Sequence, residues 1–98
     1  DLAKTEKNPD LRREAIRSLG LMGSKKTGDA LVEIYGADRD PDIRKGVING
    51  LFLQGNATAL VGLARKETDM TLKREIVQKV SLMDSKVATD FMIELLGK

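Results

Sequence analysis

The chain carries one pattern three times. Asn8-Pro9-Asp10-Leu11-Arg12-Arg13, Asp40-Pro41-Asp42-Ile43-Arg44-Lys45 and Asp69-Met70-Thr71-Leu72-Lys73-Arg74 each place a helix-capping side chain first, then a residue for the first helical position, then an apolar residue and two cations. The match continues through Ala15-Ile16, Val47-Ile48 and Ile76-Val77, then Leu19, Leu51 and Val80, then Gly23, Gly55 and Asp84. Asn8 and Asp40 lie 32 residues apart, Asp40 and Asp69 29. Self-similarity at such a period means a stack of supersecondary units, none of which can bury its apolar face alone.

Within each unit the apolar spacing is helical. Leu11, Ala15, Ile16, Leu19 and Met22 recur at i, i+4, i+5, i+8 and i+11, a stripe down one helix face. Asn8 and Asp40 can accept hydrogen bonds from first-turn N–H groups, and the prolines that follow them have no N–H to leave unmet. Gly23 and Gly55 suit the left-handed residue that ends a helix, and Gly20 is read with Gly23 as part of that stop. The spacing predicts first helices over about 9–22, 41–53 and 70–82.

A second block, Ala30-Leu31-Val32-Glu33-Ile34-Tyr35, recurs as Ala59-Leu60-Val61-Gly62-Leu63-Ala64 and as Phe91-Met92-Ile93-Glu94-Leu95-Leu96. It predicts second helices over about 28–36, 57–65 and 87–97. These blocks follow the glycine, or Asp84, by 7, 4 and 7 residues. The middle unit has therefore lost three residues in its turn, which accounts for the whole difference between 32 and 29.

One domain, 1–98, then divides into repeats over 8–39, 40–68 and 69–98. Leu2-Ala3-Lys4-Thr5-Glu6-Lys7 aligns with Leu63-Ala64-Arg65-Lys66-Glu67-Thr68, so 1–7 is expected to be the tail of a preceding repeat. The last helix is apolar over most of its circumference, and both ends read as cuts through a longer array. With three aromatic residues in the chain, Tyr35, Phe52 and Phe91, the core is expected to be aliphatic. Leu19, Leu51 and Val80, with Leu31, Leu60 and Met92, are expected to form one buried seam. Gly46 and Gly50, one turn apart, fit close helix approach or a bend, but are read instead as tolerated helix glycines, costing about 1 kcal/mol each relative to alanine.

Tandem helix pairs with an Asn/Asp-Pro-Asp-apolar-Arg-Lys/Arg opening and a glycine at the turn resemble the HEAT repeat superfamily. The short spacing is closer to the HEAT-like variety of the phycobiliprotein (PBS) lyases than to the longer repeats of about 40–47 residues. The resemblance covers essentially the whole chain; the third repeat departs from it with Met70 for proline and Asp84 for glycine. It implies an all-α fold, a right-handed α-solenoid of three HEAT-like helix pairs, here a fragment of a longer array. It is specific for fold and unspecific for function, because members serve as scaffolds, lyases, glycosylases and transport factors.

Catalytic chemistry is poorly supplied. The absence of histidine removes the commonest general base and metal ligand, and the absence of cysteine removes thiolate nucleophiles and thiolate metal sites. No glycine-rich phosphate loop is present, no catalytic, cofactor or metal residue is assigned, and the chain is read as a non-enzyme. No apolar run reaches the length of a membrane span.

The paired cations Arg12/Arg13, Arg44/Lys45 and Lys73/Arg74 form two ladders when repeats stack. One is expected to pair with Asp10, Asp40, Asp42 and Asp69, which offset cations at a helix start. With 17 basic against 15 acidic residues and no aromatic among the cations, the pattern argues against nucleic acid as a partner.

The resemblance also implies that the second helices line a concave face. There the residues outside the core are Lys26, Asp29, Ala30 and Glu33, then Thr58, Ala59, Gly62 and Lys66, then Asp90, Phe91 and Glu94. That is a shallow groove flanked by acids, suited to a peptide or helix carrying basic groups. The expected function is a non-catalytic protein–protein interaction scaffold. The alternative is a segment of a catalytic or nucleic-acid-handling HEAT-like protein, lyase- or glycosylase-like, whose active residues lie elsewhere. End-to-end self-association is expected through Phe91, Met92 and Leu95 or Leu96 at one end and Leu11 and Ile16 at the other.

Overall fold

A computed structural model describes residues 7–97; among them six helices follow one another, with no strand. Helix α1 spans Pro9–Met22, α2 Lys25–Ala37, α3 Pro41–Leu53, α4 Ala57–Lys66, α5 Met70–Ser81 and α6 Lys86–Leu96. The expected tail at 1–7 lies, Lys7 apart, outside the described residues.

Local chemistry sets the helix ends. The Asn8 side chain accepts from the amides of Asp10 and Leu11, Asp40 from that of Asp42, and Asp69 from those of Thr71 and Leu72. Each cap thereby satisfies first-turn donors that have no partner within the helix. Gly23 and Gly55 stand at φ 67° and 69°, where a Cβ would be strained. Helix α2 begins three residues before its expected start. Ser24 accepts from the Thr27 amide while Thr27 Oγ1 accepts from the Ser24 amide, a reciprocal cap built with threonine in place of the usual glutamate or glutamine.

The helices pack as pairs, α1 with α2, α3 with α4 and α5 with α6, and the first helices stack in turn, α1 on α3 and α3 on α5. The result is an all-α repeat solenoid, 42 × 26 × 16 Å in extent. Ile16, Leu31, Val47, Ile48, Leu51, Leu60, Ile76 and Val80 are fully buried along it. Gln54 ties two units together: its Nε2 donates to the Leu19 carbonyl, one of the unpaired acceptors at the end of α1, and to Thr27 Oγ1.

Three expectations change. Leu19 and Met92 are half-buried, packed against the core and not within it. In α6 the buried positions are Ala88 and Phe91, spaced like Gly28 and Leu31 in α2 and like Ala57 and Leu60 in α4. Phe91 thus takes the place assigned to Met92, one residue earlier. The sequence of α6 is apolar at both positions, so packing alone chose the frame. Phe91 and Ile16 are therefore core residues and leave the proposed end faces, where Leu11, Ile93, Leu95 and Leu96 are exposed.

The third change concerns glycine. Gly20 and Gly50 are buried where α1 crosses α3, and a Cβ on Gly20 would stand 2.6 Å from Gly50 Cα. Gly20 is a crossing residue with no room for a Cβ, and Gly50 is its counterpart across the close approach. Gly20→Ala should therefore destabilise the chain by about 1–3 kcal/mol, because backbone must move. Gly50→Ala should change it by less than about 1 kcal/mol, since the added Cβ first meets a Leu31 methyl at 3.3 Å, which can turn, and helix propensity improves. Urea midpoints of the two variants compare them directly, and equal losses would contradict the asymmetry.

Candidate functional site

The surface is framed by a buried polar junction. Each of the first two pairs runs out into an acid, Asp38 after α2 and Glu67 after α4. Arg12 pairs with Asp38. Arg44 pairs with Glu67 at 3.2 Å, and its Nε donates to the Asp38 carbonyl at 2.7 Å. The Tyr35 hydroxyl donates to Glu67 Oε1, and the Arg44 guanidinium lies 4.6 Å from the Tyr35 ring centre. The other Glu67 oxygen accepts from the Asp69 amide.

The inner cations thus find Asp38 and Glu67. Of the four acids expected to pair with one ladder, Asp10 does so, holding Arg13 of the outer ladder at 2.6 Å, while Asp40 and Asp69 are spent on helix caps. The two cation ladders therefore part company. Arg12 and Arg44 turn inward, whereas Arg13, Lys45 and Arg74 face water.

Burial on its own would raise the Glu67 carboxyl. The hydrogen bonds from Tyr35 and the Asp69 amide, with the Arg44 charge, outweigh burial and hold it below its ordinary value. Asp38 is likewise pushed up by burial and brought below its ordinary value by the Asp40 amide and Arg12. Burial first, then the hydrogen bond to Glu67, lifts the Tyr35 hydroxyl well above its usual range, so it remains a donor at neutral pH.

Both carboxyls bind protons less readily when folded, so their contribution is present above the ordinary carboxylate range and is lost as pH falls through it. Thermal unfolding followed from neutral pH down to about pH 3 should show that loss in the wild type, setting in below about pH 5. Glu67→Gln should show a shallower acid slope, and an unchanged slope would mean that Glu67 carries none of it.

Beside this junction, between α2 and α4, two recesses meet at Val32. One, of about 450 Å³, is lined by Lys25, Asp29, Val32, Asn56, Thr58 and Ala59. The other, of about 310 Å³, runs from Val32 past Tyr35 and Gly36 to Arg39, Lys66 and Thr68. Of the residues expected here, Asp29 and Thr58 come together in the first recess and Lys66 lines the second. Lys26 and Glu33 are exposed on α2 and line neither, and Gly62 is half-buried with open space where a Cβ would stand. Asp90 and Glu94 are exposed on α6 and line neither recess; Phe91 is buried.

The acids are largely engaged by near neighbours. Lys25 holds Asp29 at 3.2 Å, Lys86 holds Asp90 at 2.7 Å, and Arg65 holds Glu94 at 2.7 Å. By contrast, neither Arg39 nor Lys66 is in an ion pair among the described residues. The charge on offer at one end of the groove is therefore positive, the reverse of the acid-flanked groove expected. Val32, Asn56 and Arg39 were not among the expected lining residues. Each is marked by how α2 sits on α4, and no local sequence signal carries that.

No cluster of three metal-ligating side chains occurs among the described residues, and no helix among them is long and apolar enough to cross a membrane. The profile of the family described as HEAT repeats matches residues 1–81. Comparison with curated proteins and with solved structures returns no match.

Proposed function

The chain belongs to the HEAT repeat family, and from that premise we propose that it is a protein-binding scaffold which takes a peptide or helix of its partner on the surface of α2, α4 and α6. HEAT repeats generally mediate protein interaction and typically form non-catalytic scaffolds. The observation that carries the reading is the joined groove between α2 and α4. Its middle, at Val32 and Ala59, suits an aliphatic side chain, and its Arg39–Lys66 end suits a carboxylate.

Selection of a displayed random-peptide library on the protein tests this. Enriched peptides should share an apolar residue beside an acidic one. Their binding should fall by about tenfold or more in Thr58→Arg with Gly62→Arg, and in Arg39→Glu with Lys66→Glu. No enriched family, or one indifferent to both variants, would remove this surface from consideration.

A further inference from the structure

The outer faces of the first helices carry a second repeated feature, which the groove between α2 and α4 does not use. At three positions one helical turn apart, α1 presents Arg13, Arg17 and Leu21, α3 presents Lys45, Asn49 and Leu53, and the third unit presents Arg74, Gln78 and Leu82. All nine side chains are exposed. The leucines are 66%, 56% and 71% exposed, so burial within this chain does not account for a leucine at the same place in every unit. The cations next to them are largely unspent. Arg17, Lys45 and Arg74 have no ion pair among the described residues, while Asp10 holds Arg13 and Glu75 holds Lys79. Glu14 is the one further acid beside the column on α1.

Between α1 and α3 this face sinks into a trough of about 410 Å³. Arg13 and Arg17 form one wall, Asn49, Phe52 and Leu53 the other. Gly46 and Gly50 complete its lining between the walls. A trough of that size accepts a large side chain, which a flat membrane surface does not supply.

We propose that this outer face docks an acidic amphipathic helix of a protein partner. The partner's apolar ridge lies across Leu21, Leu53 and Leu82, one large side chain enters the trough, and its carboxylates meet Arg17, Lys45 and Arg74. The spacing fits. Packed helices stand about 8–10 Å apart, so the leucine row advances by about that step from unit to unit. Seven residues of a crossing helix advance about 10.5 Å, so apolar residues two turns apart keep pace with it. Lys45 and Arg74 lie eight residues from Leu53 and Leu82, about 12 Å along each helix and close to the width of the helix that would cover both, and Arg17 lies four residues from Leu21, about 6 Å. This surface stands apart from the groove between α2 and α4, and either can fail without the other.

The probe is a synthetic peptide of about 18 residues with leucine at every seventh position and glutamate on one flank, read by fluorescence anisotropy against a scrambled peptide of identical composition. The patterned peptide should bind about tenfold or more tightly than the scrambled one. Leu21→Ser with Leu53→Ser and Leu82→Ser, all exposed positions, should abolish that preference while the circular dichroism stays helical. Lys45→Glu with Arg74→Glu should weaken binding and flatten its salt dependence. Thr58→Arg, in the other groove, should leave the affinity unchanged. Equal affinity for the two peptides, or no binding by about 100 µM protein, overturns the proposal. Preferential sedimentation with phosphatidylserine vesicles would assign the face to a membrane. Self-association lost with the leucines would assign it to a second copy. Either result overturns the proposal as well.

Discussion

Leu51→Ala is expected to lower the unfolding free energy by about 2–5 kcal/mol. Leu51 is fully buried in α3, the helix that touches α1, α2, α4 and α5 at once. Deleting its isobutyl group removes the transfer free energy of the lost carbons and leaves a cavity. Neighbours on every side hold that cavity open, which places the cost in the upper part of the range for such truncations. Domains of this size are stable by about 5–15 kcal/mol in total, so the variant should show a large drop in its denaturant midpoint. Leu53→Ala, two residues further along and 56% exposed, is the control and should cost less than about 1 kcal/mol. Equal losses at the two positions would place the inner face of α3 wrongly.

Arg44→Ala should cost about as much, roughly 3–5 kcal/mol, for a different reason. The Glu67 side chain is 4% exposed, and Arg44 supplies both its counter-charge and the donor to the Asp38 carbonyl. Without the guanidinium, a buried carboxylate remains, with the Tyr35 hydroxyl and the Asp69 amide still donating to it but no counter-charge beside it. Arg44→Lys should recover part of the loss, since an ammonium restores the charge but not the planar fork that reaches Glu67 and Asp38 together. Arg44→Met combined with Glu67→Leu and Tyr35→Phe should recover most of it, because the penalty lies in the unpaired group and not in the absence of an ion pair. Chemical denaturation of the set separates these cases. If the triple variant is as unstable as Arg44→Ala, packing around Arg44, and not charge, is what the junction needs.

The repeated caps and glycines made the helices legible before any coordinates. Asn8, Asp40 and Asp69 start their helices by hydrogen bonds that span two or three residues. Gly23 and Gly55 end helices through their own φ angles. Such information is local, so a string of residues contains it. The three residues missing from the middle unit were expected in its turn but fall in the helix: α2 and α4 both start two residues past the glycine, and α4 has 10 residues against 13 in α2, one turn fewer. Ser24–Thr27 was equally local, but its threonine departs from the usual glutamate or glutamine of a reciprocal cap, and α2 starts earlier than expected as a result.

What lies between helices was decided elsewhere. Nothing local distinguishes Phe91 from Met92 on a helix apolar nearly all round; the choice follows from which one faces α4 and α5 across the seam. Gly20 and Gly50 are 30 positions apart, and their meaning arises where two helices cross. The partners of Arg12 and Arg44 turned out to be acids 26 and 23 residues away, because Asp40 and Asp69 were already committed to their own helix amides. The groove between α2 and α4 has the same origin, with Val32 and Arg39 brought beside Asn56, Thr58 and Lys66 by stacking. By itself the sequence determined six helices, most of their ends and the repeat that orders them, because capping and periodicity act over a few residues. The tertiary structure alone decided which frame, which glycine and which charge meets which, because those are outcomes of packing one helix against another.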